Sequence, residues 1–278
     1  MVRRDGARTA WERDALVAEE PLEIRLREDG REETVRLVVT MRTPGADRDL
    51  AMGLLFGEGV IGSGAEVLSL ERPKDPRIDP ELARNVIVAT LTPGSGGTDR
   101  FPRRATIMGS ACGVCGRTSI EDVLRLAADA RRGGTPPGRE ALSITASLLT
   151  ALPPRLRESQ SVFSRTGGLH AAGLFEADGS LTVAREDVGR HNAADKVVGW
   201  TLREGRATPP ILVVSGRLGF EIAQKAARAG VELVAAVSAP TSLAVDLAEE
   251  TGLTLVGFLR GERFNVYTHP ERIRDAAP

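Results

Sequence analysis

The 278-residue chain is nearly without lysine: only Lys74, Lys196 and Lys225 accompany a large arginine complement. That bias reads as coding preference as much as function, so arginine number by itself assigns nothing. Cysteine is equally scarce, with two residues, and histidine is limited to three. No run approaches the roughly 18 uninterrupted apolar residues of a membrane span, and the opening Met1-Val2-Arg3-Arg4-Asp5 lacks the apolar segment of a signal peptide. A cytoplasmic protein with no membrane partner is therefore expected. A net charge of −1 removes any global case for nucleic acid as a partner. What the chain does have is length and 41% hydrophobic residues, enough for one large domain or two intimate ones around a substantial core.

Both cysteines fall in one Cys-Gly-Val-Cys motif, Cys112 and Cys115, flanked by Gly109 and Gly116. Two thiols at this spacing serve as half of a zinc site, as a reversible disulfide, or as a sulfur nucleophile with a helper. Zinc needs two more ligands, and only His170, His191 and His269 remain to provide histidine nitrogen. A reducing compartment disfavours a structural disulfide. The glycines suit an exposed, moving loop, and Thr118-Ser119-Ile120-Glu121 has the spacing of a capping box that opens a helix over 119–130. A helix N-terminus favours thiolate within about one turn, which points to Cys115 more than Cys112; Arg103, Arg104 and Arg117 could add to the effect. The plain alternative is a pair of small, inert buried residues.

Elsewhere, alternating apolar and charged residues predict strands over 22–27 and 34–40, followed by a helix over 47–56 and a strand over 85–91. The Arg-Arg-Gly-Gly-Thr-Pro-Pro-Gly run at 131–138 marks a boundary. It separates a strand-rich N-terminal subdomain carrying the Cys-x-x-Cys loop (1–134) from an α/β domain (139–278). The second part reads as a helix from 144, strands over 169–176 and 181–185, then helices over 192–203, 220–229 and 242–250 alternating with strands over 211–214, 232–237 and 253–258. Such alternation predicts a layered, largely parallel sheet.

In such sheets ligands gather where strands end and helices begin. Val214-Ser215-Gly216-Arg217 and Val237-Ser238-Ala239-Pro240-Thr241-Ser242 are two such junctions, with capping by Thr241 or Ser242 as the simpler reading. His191 sits between Asp187 and Asp195 at four-residue spacing, so a helix over the whole block would let one carboxylate orient the ring. A solvated polar surface is the competing reading. His170 stays ambiguous.

The Cys-Gly-Val-Cys-Gly run, Ser-Arg-Thr-Gly-Gly-Leu-His-Ala-Ala-Gly at 164–173, Glu-Asp-Val-Gly-Arg-His-Asn-Ala-Ala-Asp-Lys at 186–196, the two junctions, and Gly-Phe-Leu-Arg-Gly-Glu-Arg-Phe-Asn-Val at 257–266 occur in that order. Together they resemble the successive blocks of the FdhD family of formate dehydrogenase accessory sulfurtransferases, over about 22–270. The resemblance implies a cytidine-deaminase-like layered C-terminal domain. It also implies a persulfide carrier that takes sulfur from a cysteine desulfurase and passes it to the molybdenum bis(molybdopterin guanine dinucleotide) cofactor of formate dehydrogenase. By position it assigns the persulfide to Cys112, with Cys115 assisting, and the cofactor segment to Phe258, Leu259, Arg260, Gly261, Glu262 and Arg263. A plain strand end is the alternative for the two arginines. No intrinsic metal is implied, and pairing with a second copy as a homodimer is left open.

Two rivals stand beside it. One is a chaperone that binds cofactor and dehydrogenase without carrying sulfur. The other is a zinc nucleobase deaminase, which pairs Pro-Cys-x-x-Cys with an upstream His-x-Glu; here Ala111 precedes the first cysteine, and His170 and His191 both follow it without the glutamate.

Overall fold

The computed structural model describes residues 1–6, 8–74, 79–94, 106–108 and 141–275. The cysteine motif, the helix expected over 119–130 and the boundary expected over 131–138 lie outside them.

Strands β1 (Val2–Asp5) and β2 (Arg8–Trp11) form an antiparallel ribbon. Next come β3 (Glu20–Glu28) and β4 (Val35–Arg42), the antiparallel pair that the alternating pattern predicts. The pattern works because Leu22, Ile24 and Leu26 turn to one face of β3 and are buried, while Glu23, Arg25 and Arg27 take the other. After α1 (Asp47–Gly57) come β5 (Val67–Glu71), the short α2 (Pro80–Ala83), β6 (Val86–Leu91) and β7 (Thr106–Met108). The first sheet has the order β5-β6-β3-β4-β7, with β7 parallel to β4. Its apolar face packs on Leu50, Leu54 and Leu55 of α1.

In the second half, β8 (Ile144–Thr145) leads into α3 (Ala146–Glu158), whose start is capped by the Thr145 hydroxyl accepting from the Leu148 N–H. Then follow α4 (Ser161–Thr166), β9 (His170–Phe175), β10 (Leu181–Asp187), α5 (Arg190–Arg203), β11 (Ile211–Val214) and α6 (Phe220–Arg228). The chain closes with β12 (Leu233–Ala236), α7 (Ser242–Thr251), β13 (Thr254–Arg260), β14 (Arg263–Thr268) and β15 (Ile273–Arg274), the last paired with β8. The second sheet runs β10-β9-β11-β12-β13-β14; β11, β12 and β13 are parallel to one another.

Both faces of this sheet are covered, so its inner strands are apolar throughout rather than alternating. Ala172, Leu174, Leu212, Val214, Val234 and Ala236 face residues of α5, α6 and α7, including Val197, Ile222 and Leu247. Their neighbours Ala171, Phe175, Ile211, Val213, Leu233 and Ala235 face Leu149, Leu152 and Leu156 of α3. The chain is thus a mixed α/β protein with a helix layer on each side of the larger sheet.

The two halves meet where α1 crosses α5 at backbone contact. A Cβ on Gly199 would lie 1.9 Å from the Asp49 carbonyl oxygen, and one on Gly53 would lie 1.9 Å from that of Asp195. Only glycine fits at either position. This explains why α1 is buried nearly all round, with Arg48 as its one exposed residue, instead of showing a single apolar stripe.

Candidate functional site

The ends of β11, β12 and β13 open on the same edge of the sheet, and the loops that follow are laced together. The Leu218 N–H donates to the Ala239 carbonyl (3.1 Å), and the Thr241 N–H donates back to the Leu218 carbonyl (3.0 Å). The Phe258 N–H donates to the Ser238 carbonyl (3.1 Å), and Arg260 Nε donates to the Val237 carbonyl (2.9 Å). The two junctions and the 258–263 segment, separated in sequence, therefore form one surface. Thr241 starts α7 without a side-chain cap bond, so capping does not account for its hydroxyl.

The 258–263 segment is more than a strand end. β13 continues to Arg260, turns through Gly261 at φ +56° and returns as β14. Phe258 has φ +54°, which is uncommon for an aromatic residue, and a register shift between Gly257 and Arg260 accompanies it. That conformation leaves Phe258 44% exposed. Arg260, Glu262 and Arg263 are exposed as well, whereas Leu259 is buried in the core and anchors the turn. Any contact Leu259 makes with a ligand would come from its backbone.

At the β11 junction the Ser215 hydroxyl accepts from the Ala171 N–H (2.9 Å), tying the loop to β9. A Cβ on Gly216 would stand 3.2 Å from His170 Nδ1 and 3.4 Å from Arg190 Cδ, so the absent side chain makes room for both. His170 is held below the ordinary histidine range by burial and by the Arg190 and Arg217 charges, with Asp187 opposing them. The two neighbouring guanidinium groups thus disfavour the imidazolium form.

The 186–196 block is not a solvated surface. His191, Asn192, Asp195 and Lys196 are all buried, and so is Asp187, which ends β10 and precedes α5. The helix begins at Arg190, so Asp187 lies off it, and Asp195, though four residues on from His191 in the same helix, is taken by a different partner. Asp187 instead pairs with Lys196 (2.7 Å) and accepts from the Thr43 N–H, the Gly189 N–H and Asn192 Nδ2. Asp195 pairs with Lys225 at 2.5 Å. Burial pushes the Asp195 carboxyl up to about 6, partly offset by the Lys225 charge. Lys225 is raised in turn, because Asp195 and Glu58 together outweigh its desolvation.

His191 Nε2 lies 3.5 Å from Glu221, which would suit an ion pair, but burial and the charges of Arg190 and Lys225 lower its pKa to about 3. The neutral form wins, because the residue is buried and the Arg190 and Lys225 charges act on it. His191 is therefore expected to show no titration by NMR between pH 8 and 5. Unfolded histidine protonates near 6.5, so below that pH the unfolded chain binds a proton that the native one does not, and stability falls as pH drops from about 6.5 toward 3. This slope should shrink in His191→Gln, read from urea unfolding at several pH values; an unchanged slope would refute it. Asp195 gives the opposite trend between about 4 and 6 and is common to both proteins.

The Lys196, Asn192 and Asp187 cluster joins this edge to the first sheet. Lys196 Nζ donates to the Thr43 carbonyl (2.9 Å), Asn192 Nδ2 donates to the Met41 carbonyl (2.8 Å), and Thr40 reaches Asn192 Oδ1 (3.5 Å). Met108 of β7 pairs with Thr40. The strand that leads toward Cys112 and Cys115 therefore ends beside this cluster. Both cysteines are outside the described residues, and among the described residues no three His, Cys, Asp or Glu side chains converge as metal ligands. No helix among them is long and apolar enough to cross a membrane.

Sequence reasoning missed Asn192 and the two buried lysines as organisers. The available signal was lysine scarcity itself: two of the three lysines of this chain sit in buried ion pairs.

Comparison with known proteins points to the family that the sequence blocks resemble. The family model of the FdhD/NarQ family matches residues 17–274. The chain is 49% identical over 272 residues to the sulfur carrier protein FdhD of Streptomyces coelicolor, covering 97% of this chain and 92% of that one. It is 46% identical over 262 residues to the sulfur carrier protein FdhD of Mycolicibacterium paratuberculosis, covering 94% and 92%. A crystal structure from Desulfotalea psychrophila, described as that of a formate dehydrogenase accessory protein, superposes with a TM-score of 0.70 at 24% identity over 98% of this chain and 96% of that chain. At that identity the likeness speaks for the fold alone. From the family match and the chain-wide identity, the chain belongs to the FdhD/NarQ family.

Proposed function

We propose that this protein is a sulfur carrier for formate dehydrogenase maturation, with Cys112 as the residue that holds the sulfur. The observation that carries the reading is chain-wide identity of 46–49% to proteins named sulfur carriers, in a chain whose only thiols form one Cys-Gly-Val-Cys motif. The donor is a cysteine desulfurase. The Cys112 thiolate attacks the outer sulfur of the donor persulfide, the donor's S–S bond breaks, and its thiolate leaves; the step is an exchange with no net oxidation. The acceptor is the molybdenum bis(molybdopterin guanine dinucleotide) cofactor, which is cargo rather than a resident group. Release of the sulfur as sulfide needs two electrons. Attack of the Cys115 thiolate on Cys112 Sγ supplies them and leaves a Cys112–Cys115 disulfide for a cellular dithiol to reduce.

The laced edge suits such cargo. Phosphates and guanines call for guanidinium forks, loop-end donors and an aromatic face, and Arg260, Arg263 and the exposed Phe258 offer these. We read the two-sided layering of the larger sheet as cytidine-deaminase-like. The test of the carrier reading is mass analysis after incubation with a desulfurase and cysteine: a gain of one sulfur on Cys112 supports it, and no gain refutes it. For the cargo edge, Arg260→Ala with Arg263→Ala should weaken GDP binding more than tenfold by calorimetry, since charge-assisted bonds contribute about 1.5–3 kcal/mol each. Sulfur loading should survive in that variant. Unchanged GDP affinity would mark both arginines as a solvated turn.

A further inference from the structure

A separate recess lies on the other side of the 43–46 loop, where α1 begins. It encloses about 710 Å3 and draws six arginines from six different places in the chain: Arg42, Arg48, Arg72, Arg84, Arg185 and Arg203. Among the described residues three carboxylates line it, Glu20, Asp47 and Asp49.

All three are engaged: Glu20 lies 3.7 Å from Arg42 Nη1, and the two aspartates act as struts. Asp47 takes Arg42 Nε (2.9 Å) and Arg72 Nη2 (2.9 Å), while Asp49 takes Arg203 Nε (2.8 Å) and Arg185 Nη2 (2.9 Å). Two acids thus hold four guanidinium groups, and the donor supply exceeds the acceptors. Nε and Nη1 of Arg72 and Nη1 of Arg203 meet no acceptor among the described residues. The side chains of Arg48 and Arg84 are exposed and meet no partner at all among them. The start of α1 opens on the same recess: Ala46 is in the left-handed region, and no side chain caps the first turn. Like charges gathered this way repel unless an anion joins them, and planar guanidinium forks match tetrahedral oxyanions in pairs.

We propose that this arginine-lined recess is a binding site for a phosphoryl anion carrying more than one phosphate. Several features favour that class. Among the described residues the apolar lining is Pro44, Ala46 and Ile87, with no aromatic ring to hold a base, so charge is what the recess reads. Its volume accommodates several phosphoryl groups, within the range of small-ligand sites. The donors also converge into a concavity instead of running in a row, as an acidic peptide would require. The site is independent of the sulfur-carrier reading, since it uses neither cysteine and none of the 258–263 segment.

The probe is inorganic pyrophosphate, titrated calorimetrically at low salt into the full chain carrying Arg260→Ala/Arg263→Ala, so that the 258–263 edge does not contribute, with hexaglutamate in parallel. Saturable pyrophosphate binding that weakens at least tenfold in Arg48→Ala/Arg84→Ala, and also weakens with added salt, is the expected result. Because both side chains are exposed and meet no partner among the described residues, melting temperature and sulfur loading should match the parent; Arg72→Ala provides a second variant with a smaller loss. Absence of pyrophosphate binding, binding equal in the double variant, or preference for hexaglutamate would overturn the proposal, the last in favour of an acidic protein segment. Loss of sulfur loading with pyrophosphate binding intact would bear on the carrier reading alone.

Discussion

Replacing Cys112 by alanine is expected to reduce formate dehydrogenase maturation to the level of a strain lacking this protein, and to eliminate the persulfide mass gain. The reason is chemical: the chain has two thiols, and nothing else in it forms a persulfide. Cys115→Ala is the informative partner. It should keep the mass gain and lose turnover, because it leaves the acceptor thiol and removes the residue that releases the sulfur. The helix-dipole argument taken alone predicts the reverse, with loading lost in Cys115→Ala. Mass spectrometry of both variants after desulfurase treatment decides between them, and a melting temperature measured alongside separates lost chemistry from lost fold. Full maturation by Cys112→Ala would end the carrier assignment.

Asp187→Ala should be the most damaging change among the described polar residues. Asp187 is fully buried and neutralises Lys196, itself 1% exposed, while accepting three further hydrogen bonds from Thr43, Gly189 and Asn192. Removing one member of a buried pair leaves the other charge uncompensated, which costs about 3–5 kcal/mol, a large fraction of the stability of an ordinary domain. Replacing both partners removes that orphan, so Asp187→Ala/Lys196→Met should regain part of the loss. Urea unfolding of the two singles and the double measures the coupling. If Asp187→Ala falls within about 1 kcal/mol of the parent, the cluster does not hold the two halves together. The same variant should also impair sulfur transfer when studied below its melting temperature, because the cluster fixes the end of β4 that β7 follows.

Much of the element order was legible beforehand because burial leaves a period in the sequence. Leu22, Ile24 and Leu26 alternate with charges since one face of their strand meets α1, and the apolar runs at 211–214 and 233–236 are unbroken since both faces of their sheet are covered. The strands without such a pattern were not found: β1, β2 and the edge strand β5 bury little, and β14 returns from a turn that resembles a strand end.

The sequence by itself determined which chemistry is available, namely one thiol pair, three lysines and three histidines, and the ordered motifs that mark the family. It also singled out the segments at 215–217, 238–242 and 257–266, which the fold brings to one edge of the larger sheet. Only the tertiary structure decided what those residues do to one another. Four-residue spacing suggested that Asp187 and Asp195 serve His191, yet β10 runs to Asp187 and α5 starts at Arg190, so Asp187 is off the helix and turns to Lys196. Asp195 does share α5 with His191, but the buried Lys225 cation of the neighbouring helix, thirty residues away, takes its carboxylate. Spacing places two side chains on one helix face; which partner each takes follows from what the packing brings within reach. The convergence of six arginines on one recess has the same origin, because elements from residue 42 to residue 203 contribute to it and no local pattern couples them.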